Sequence, residues 1–304
     1  MTSALVIGYG SIGQRHVRLL RELGCDVAIV SRREADGLRR FSSIDDAFRR
    51  SAPEYVVIAN ETAEHADAVE KLQKAGFSGR VLIEKPLGKR GSVAQKAGFG
   101  LTAVAYNLRF HPILVALREA IAKEDVISIQ VYCGQYLPDW RPGRDYRKSY
   151  SADPDRGGGV LRDLSHELDY LLWMAGGWRR VTALGGKFSD LEIRSDDSWA
   201  ILTETERCPL ATIQINYLDR PGARKIVVNT ASHTYRADLV RSVFEIDGKS
   251  QVFEVDRDDT YLAQHKAILS GDTSRLCSLA EGMRVMQFID AVERAAHERT
   301  WISA

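Results

Sequence analysis

The chain has 304 residues, of which 44% are hydrophobic. This length favours two domains, each with its own core, over one large domain. The 42 Lys and Arg residues nearly cancel the 41 Asp and Glu residues, which disfavours nucleic acid and membranes as partners and favours a small molecule. Four scattered cysteines without a CxxC pair argue against a disulfide framework or a metal site. With no signal-peptide pattern and no bilayer-length apolar run, the sequence predicts an unprocessed cytoplasmic protein.

Residues 1–110 alternate short apolar runs with helical patterns. The predicted strands are ALVIG, DVAIV, YVVIA, RVLIE and TAVAY, and helices are predicted in RHVRLLRELG, SSIDDAFRRS and AEHADAVEKLQKAG. Strands of this length separated by helices form right-handed βαβ units with a parallel sheet between helices. The first domain is therefore predicted to be doubly wound α/β.

Residues 111–304 follow a different pattern. A helix from Pro112 to about Lys123 precedes the strand VISIQVYCGQYL, a loop of roughly twenty residues and a helix that begins after GGG. Seven strand-like segments joined by short turns follow, and two helices close the chain. Consecutive strands of this kind predict an α+β domain with a mostly antiparallel sheet.

A glycine motif follows the first predicted strand and opens the first helix: Gly8, Tyr9, Gly10, Ser11, Ile12 and Gly13. The first glycine permits a tight turn, the second lets a pyrophosphate approach the backbone, and the third packs the helix against the strand. An ordinary glycine-rich turn is the alternative. The order strand, motif, helix favours a dinucleotide site formed by Gly8, Gly10, Ser11, Ile12 and Gly13.

The second strand does not end in the acidic residue that usually binds the ribose of NAD. It ends instead in Ser31, Arg32 and Arg33, whose hydroxyl and guanidinium groups suit the 2′-phosphate of NADP. A solvated arginine pair is the alternative explanation. The sequence favours NADP over NAD.

Two further strand ends carry polar residues. Asn60, Thr62 and His65 follow YVVIA and are candidates for cofactor binding, although Asn60 or Thr62 would also serve as a helix cap. Glu84 and Lys85 end RVLIE, where a lysine can stabilise a developing alkoxide or share its proton. A surface lysine is the alternative for Lys85.

The helix after GGG has two predicted faces. On an ideal helix its leucines form one apolar arc, while Asp163, His166 and Tyr170 fall together on the opposite side. Asp163 would then orient His166, which would act as a general base. The polar side of an ordinary surface helix gives the same pattern.

These motifs together resemble the Gfo/Idh/MocA oxidoreductase family: GYGSIGQRH, VVIANETAEH, IEKP, YNLRFHP and GGGVLRDLSHELD occur in the expected order. The resemblance implies an N-terminal Rossmann domain over residues 1–110 and a C-terminal domain over 111–304. Its open sheet would form a homodimer or homotetramer. The resemblance also implies NAD(P)-dependent chemistry on sugars or related polyols.

The resemblance assigns catalytic roles to Lys85 and His166. The family places its aspartate four residues before this histidine, whereas here Asp163 stands three before and Arg162 four before. Either Asp163 keeps the role on a rotated face, or another group orients His166.

The segment YLPDWRPGRDYRKSYSADPDRGGG resembles a branch of the family linked to nucleotide sugars and surface polysaccharides. Its basic and aromatic residues, including Arg144 and Tyr146, suit an anionic sugar, a nucleotide diphosphate or a carboxylate. Four aspartates nearby leave a solvated loop as the alternative. Arg109, at the predicted domain junction, is a further candidate substrate contact, besides Lys85, Asp163 and His166.

Three functions stay open at this point. The first is reversible hydride transfer with a secondary alcohol of a sugar, sugar acid, polyol or nucleotide sugar. The second is glycoside cleavage or epimerisation through transient oxidation. The third is a non-catalytic dinucleotide sensor, against which Lys85 and His166 argue because a sensor needs neither.

Overall fold

A computed structural model describes residues 1–88 and 98–304 of the chain. They divide into two compact units, of which the first comprises Met1–Phe110 and Arg257–Met283 and the second His111–Asp256 and Arg284–Ala304. Each unit is thus built from two separate parts of the chain. The sequence prediction ended the first domain at residue 110 and did not include Arg257–Met283.

The described residues form sixteen strands and eight α-helices, besides short 3₁₀ turns. The strands are β1 (Ser3–Ile7), β2 (Asp26–Val30), β3 (Arg39–Phe41), β4 (Tyr55–Ile58), β5 (Arg80–Ile83), β6 (Leu101–Val104), β7 (Val126–Gly134), β8 (Trp178–Gly186), β9 (Ser198–Thr205), β10 (Leu210–Asn216), β11 (Ala223–Thr230), β12 (Thr234–Asp238), β13 (Val243–Ile246), β14 (Lys249–Val252), β15 (Cys277–Ser278) and β16 (Ile302–Ser303). The helices are α1 (Ser11–Glu22), α2 (Ile44–Arg50), α3 (His65–Lys74), α4 (Pro112–Ala120), α5 (Val160–Asp163), α6 (His166–Ala175), α7 (Asp259–Ser270) and α8 (Leu279–Glu298).

The sheet of the first unit has the order β15-β6-β5-β4-β1-β2-β3. Strands β1 to β6 are parallel, and only β15 runs antiparallel to its neighbour. The central strands β1, β4 and β5 are buried almost along their whole length, as expected when helices cover both faces of a parallel sheet. The predicted doubly wound α/β fold is confirmed.

The sheet of the second unit has the order β14-β13-β12-β11-β7-β10-β9-β8-β16. Only β7 and β10 pair in parallel, so the predicted mostly antiparallel sheet is confirmed. Burial alternates along β9 and β11, which is typical of a sheet covered on one face. Apolar side chains elsewhere on the sheet, such as those of Ile127, Leu184 and Leu210, are exposed.

Three short strands were not predicted from the sequence. β3, β15 and β16 contain only two or three residues and lie next to a single partner strand each. Runs this short have no readable hydrophobic period. Among the described residues, no helix is long and apolar enough to cross a membrane.

Candidate active site

The predicted cofactor residues come together at one edge of the first sheet. Ile7, Ile58 and Ile83 pair with one another in register at the ends of β1, β4 and β5. The residues that follow them therefore leave the sheet side by side: the glycine motif, the Asn60 segment and the pair Glu84 and Lys85. In open α/β sheets, ligands bind at such carboxyl ends.

Each motif glycine has a different surrounding. Gly8 has φ +98°, and a Cβ there would lie 2.6 Å from the Ala59 carbonyl oxygen. A Cβ on Gly13 would lie 2.1 Å from the Gly8 carbonyl oxygen, whereas one on Gly10 would meet no atom within 4 Å. The first and third glycines thus permit tight backbone packing. The second leaves open space directly before α1.

The N-terminus of α1 has the features of an anion site. Gly10 is its N-cap and makes no side-chain capping bond, and no acidic residue lies in its first turn. Ser11 is exposed, and Ile12 packs against the core of the unit. Unpaired backbone N–H groups and the helix dipole favour negative charge at this position.

The end of β2 is basic, as predicted. Arg32 and Arg33 are exposed, and the buried Ser31 hydroxyl accepts a hydrogen bond from the Arg33 backbone N–H at 2.9 Å. Arg40 on β3 donates to the Ser31 carbonyl oxygen at 3.3 Å. This third arginine was not predicted, because β3 has no recognisable pattern in the sequence.

The helix-cap alternative for the residues after β4 does not hold. Neither Asn60 nor Thr62 caps α3, whose N-cap is Glu64 without a side-chain bond. The Asn60 amide nitrogen instead donates to the Glu64 carboxylate at 3.1 Å, and the buried Asn60 Oδ1 has no hydrogen-bond partner among the described residues. A buried acceptor without a partner favours a ligand role for Asn60.

His65 connects two of these segments. Its ring nitrogens lie 3.3 Å from the Asn60 carbonyl oxygen and 3.1 Å from the Pro86 carbonyl oxygen. Burial, its largest influence, lowers the pKa of His65, so the ring is neutral near pH 7. These contacts give His65 a role in fixing the loops beside Lys85; direct contact with a cofactor stays a prediction.

Glu84 is buried and Lys85 half-buried at the end of β5. One Glu84 oxygen lies 2.8 Å from Nε2 of His16, and the other accepts the Lys85 backbone N–H at 3.2 Å. His16 is fully buried on α1 and also contacts His265. No sequence signal could connect these residues, because His265 lies far along the chain on α7.

The prediction of a single helix after GGG is wrong. It is two helices, α5 and α6, separated by a turn at Leu164 and Ser165. The ideal helical wheel therefore does not hold across Asp163 and His166. Tyr170, predicted on the polar side, is fully buried, and Asp163 is only 5% exposed. These polar groups do not form the solvated side of a surface helix.

The Asp163 carboxylate lies near two tyrosine side chains, of which Tyr217 is fully buried. The Tyr217 hydroxyl, just after β10, donates to it at 2.6 Å. Burial, and next the Asp163 carboxylate, raises the pKa of Tyr150. Burial also raises the pKa of Tyr217, so both tyrosines are protonated near pH 7. Tyr217 was not predicted as a site residue, because a tyrosine after a strand is common.

Arg162 occupies the position at which the family has its aspartate. Its guanidinium is mostly buried and forms an ion pair with Glu293 on α8. An arginine committed to this ion pair does not replace the missing carboxylate, because it has no acceptor for the N–H of a histidine. Asp163 is the better candidate for the third member of the site.

Two of the three glycines before α5 have a structural explanation. A Cβ on Gly158 would lie 2.0 Å from the Tyr150 carbonyl oxygen, and one on Gly159 would lie 2.1 Å from a carboxylate oxygen of Asp196. Asp196 accepts the Leu161 backbone N–H at 2.9 Å and so caps α5. The close approach predicted at GGG is therefore made by protein groups.

The predicted substrate residues differ in their surroundings. Arg144 is exposed, and the half-buried Tyr146 accepts the Glu192 backbone N–H at 3.3 Å. Arg109 is 2% exposed and forms an ion pair with Glu281 at 2.8 Å within the first unit. That pairing gives Arg109 a structural role. Substrate binding by Arg109, Arg144 and Tyr146 stays a prediction.

The glycine geometry, the open N-terminus of α1 and the orphaned Asn60 Oδ1 together fit a bound dinucleotide. Such a site on such a fold defines a class, the NAD-binding oxidoreductases with a Rossmann domain. Residues 2–98 match the family model described as "Oxidoreductase family, NAD-binding Rossmann fold", and residues 114–248 match that of the "GFO/IDH/MocA C-terminal domain". The chain belongs to the Gfo/Idh/MocA oxidoreductase family.

Several solved structures share the whole fold. GenD2 from gentamicin A biosynthesis, in complex with NAD, is 22% identical with a TM-score of 0.82, covering 100% of this chain and 96% of that chain. The WlbA dehydrogenase from Bordetella pertussis, in complex with NADH and UDP-GlcNAcA, is 22% identical with a TM-score of 0.80, covering 99% and 98%. Levoglucosan dehydrogenase in complex with NADH is 15% identical with a TM-score of 0.83, covering 99% and 98%. No curated protein matches the chain by sequence.

Proposed function

We propose that this oxidoreductase is a dehydrogenase acting on a secondary alcohol of a sugar, sugar acid, polyol or nucleotide sugar. The observation that carries the proposal is that β1, β4 and β5 end in register at one sheet edge, where the glycine motif, Asn60 and Lys85 follow them. The fold shared with sugar and nucleotide-sugar dehydrogenases supports the substrate class. When bound, the nicotinamide supplies the hydride acceptor or donor.

In this proposal three side chains handle the substrate hydroxyl. His166 accepts its proton, and Asp163 stabilises the resulting imidazolium. The Lys85 ammonium stabilises the oxygen as negative charge develops on it. In the reverse direction His166 returns the proton. Tyr217, which donates to Asp163, keeps that carboxylate in one orientation.

Activity is tested by following absorbance at 340 nm with NAD or NADP and a panel of sugars, inositols, sugar acids and nucleotide sugars. The Lys85→Ala and His166→Ala variants should each lower kcat/KM by about a hundredfold or more. Lys249→Ala, an exposed lysine on β14, is the matched control and should change nothing. If Lys85→Ala or His166→Ala, while folded by circular dichroism, stays within tenfold of the wild type, the assigned roles are wrong.

The cofactor preference is a separate proposal. Arg32, Arg33 and the Ser31 hydroxyl would bind a 2′-phosphate, so NADP is favoured over NAD. Replacing Arg32 and Arg33 by alanine should weaken NADPH binding at least tenfold more than NADH binding in fluorescence titrations. The exposed arginines Arg49 and Arg50 on α2 provide the control pair. Equal losses for both cofactors would refute the preference.

The open face of the second sheet is proposed to pair with a second copy of the chain. Ile127 on β7, Leu210 on β10 and Leu184 on β8 are 52%, 49% and 72% exposed. Apolar side chains on a sheet face favour association. Light scattering of the purified protein should give a dimer or tetramer, and Leu184→Lys should shift it toward the monomer. A monomeric wild type would refute this pairing.

A further inference from the structure

Four buried polar side chains form a continuous hydrogen-bonded chain inside the first unit. The Tyr55 hydroxyl lies 2.9 Å from Nδ1 of His265, and Nε2 of His265 lies 2.9 Å from Nδ1 of His16. Nε2 of His16 lies 2.8 Å from Oε1 of Glu84. The first three residues are at most 1% exposed and Glu84 is 8% exposed.

One direction of hydrogen-bond donation satisfies all four side chains. A carboxylate only accepts hydrogen bonds, and a neutral histidine has one donor and one acceptor nitrogen. With Glu84 as the terminal acceptor, His16 donates from Nε2, His265 donates from Nε2, and Tyr55 donates from its hydroxyl. In this arrangement each histidine donates from Nε2 and accepts at Nδ1.

The surroundings of His265 and Tyr55 agree with this arrangement. Burial, followed by the neighbouring His16, lowers the pKa of His265 well below its usual value. Burial also raises the pKa of Tyr55, so its hydroxyl stays a donor.

The chain ends next to the proposed catalytic lysine. The second oxygen of Glu84 accepts the Lys85 backbone N–H at 3.2 Å, so both carboxylate oxygens have a donor. His16 comes from α1, Tyr55 from β4 and His265 from α7, which belongs to the later part of the unit. Three elements thus fix the carboxylate that holds the backbone of Lys85.

A core made only of apolar side chains would be at least as stable, because buried polar groups cost desolvation energy and a satisfied network mainly confers rigidity. We propose that Tyr55, His265 and His16 are positioning residues, which hold Glu84 and through it set the position of Lys85. The inference rests on the proposed function of Lys85. Displacements of about 1 Å at a reacting group cost up to about a hundredfold in rate. Breaking the hydrogen-bonded chain should therefore lower the catalytic rate.

The test compares His265→Leu, which breaks the chain at both nitrogens, with His265→Gln, whose amide can still donate to His16. Leu20→Ala, a buried apolar truncation on α1, is the control for lost stability alone. Two quantities are measured on the full-length protein. The first is kcat and KM with a sugar found in the 340 nm screen. The second is the rate at which trinitrobenzenesulfonate labels Lys85 relative to Lys187, measured by mass spectrometry with and without NADH.

We expect His265→Leu to lower kcat tenfold to a hundredfold and to change the relative labelling of Lys85 at least threefold. His265→Gln should recover at least a third of the wild-type kcat, and the NADH Kd of both variants should stay within threefold. Leu20→Ala should alter melting but neither readout. A folded His265→Leu with kcat and Lys85 labelling within twofold of the wild type would overturn the proposal.

Two outcomes separate this inference from the proposed function. If the wild type oxidises no sugar, the proposed substrate class fails. Lys85 labelling still tests whether the hydrogen-bonded side chains position Lys85. If His265→Leu does not fold, Tyr55→Phe, which removes only one hydroxyl, takes its place. It should change Lys85 labelling at least twofold, and unchanged labelling there would overturn the proposal.

Discussion

Replacing Gly10 and Gly13 separately by alanine should separate cofactor binding from stability. Gly10 precedes α1 with φ −77°, a value alanine adopts, and a Cβ there meets no atom within 4 Å. Gly13 lies one turn into α1, where a Cβ would be 2.1 Å from the Gly8 carbonyl oxygen. The two substitutions add the same methyl group to different surroundings.

The expected magnitudes follow from these distances. For Gly13→Ala, the backbone of Gly8 or α1 has to move by roughly 1 Å to reach a normal separation. Overpacking of this kind costs about 3 kcal/mol, which should lower the melting temperature by about 6–12 °C. For Gly10→Ala, the loss of a good N-cap residue costs about 1 kcal/mol at most. Its methyl group would fill the space assigned to the pyrophosphate and raise the NADH Kd at least tenfold, or about 1.4 kcal/mol.

The assay combines thermal unfolding of the cofactor-free protein with NADH titration followed by protein fluorescence. Gly10→Ala should melt within about 4 °C of the wild type yet bind NADH poorly. Gly13→Ala should lose both stability and binding. If Gly10→Ala binds NADH within twofold of the wild type, the pyrophosphate does not lie at Gly10, and the assignment of the glycine roles is wrong.

Three further predictions concern the second unit. Arg224→Met should lower the free energy of unfolding by about 3–5 kcal/mol in urea titrations, because it leaves the fully buried Glu167 carboxylate without its 2.7 Å ion-pair partner. Tyr217→Phe should lower kcat severalfold and stability by about 1–2 kcal/mol, because Asp163 loses a 2.6 Å hydrogen bond. Burial, and next Arg224, lowers the pKa of His111 to about 4, from 6.5 in the unfolded chain. The stabilisation that depends on neutral His111 is therefore fully present above pH 6.5 and is lost as the pH falls toward 4. This loss lowers the free energy of unfolding by about 3 kcal/mol.

Each of these has an internal control. The double variant Glu167→Met with Arg224→Met should recover part of the stability lost in Arg224→Met, and no recovery would contradict the ion-pair explanation. An unchanged kcat in Tyr217→Phe would remove Tyr217 from the site. His111→Asn keeps a capping side chain for α4 but does not titrate, so its stability should fall less between pH 7 and pH 4.5. An equal fall in both proteins would contradict the assignment to His111.

Sequence alone determined the fold class because its signals are local. The strand lengths, the glycine motif between β1 and α1, and the lysine at the end of β5 are all read within one element and its flanking turn. Hydrophobic period and turn chemistry act over the same short range, so the parallel first sheet and the mostly antiparallel second sheet followed from them. The positions of Gly8 and Gly10 in the turn and of Gly13 at the start of α1 follow from the same local signals.

Tertiary structure decided what depends on distant parts of the chain. The helix after GGG breaks at Leu164, where an ideal wheel predicted no break. Asp196, from a distant segment, binds the start of α5, and Tyr170 on α6 is fully buried. Arg162 pairs with Glu293 and Asp163 with Tyr217, across separations of 131 and 54 residues. The chain from Tyr55 to Glu84 likewise needs His265. Side chains so far apart in sequence meet only when whole elements pack, and no local pattern records which polar groups that packing buries together.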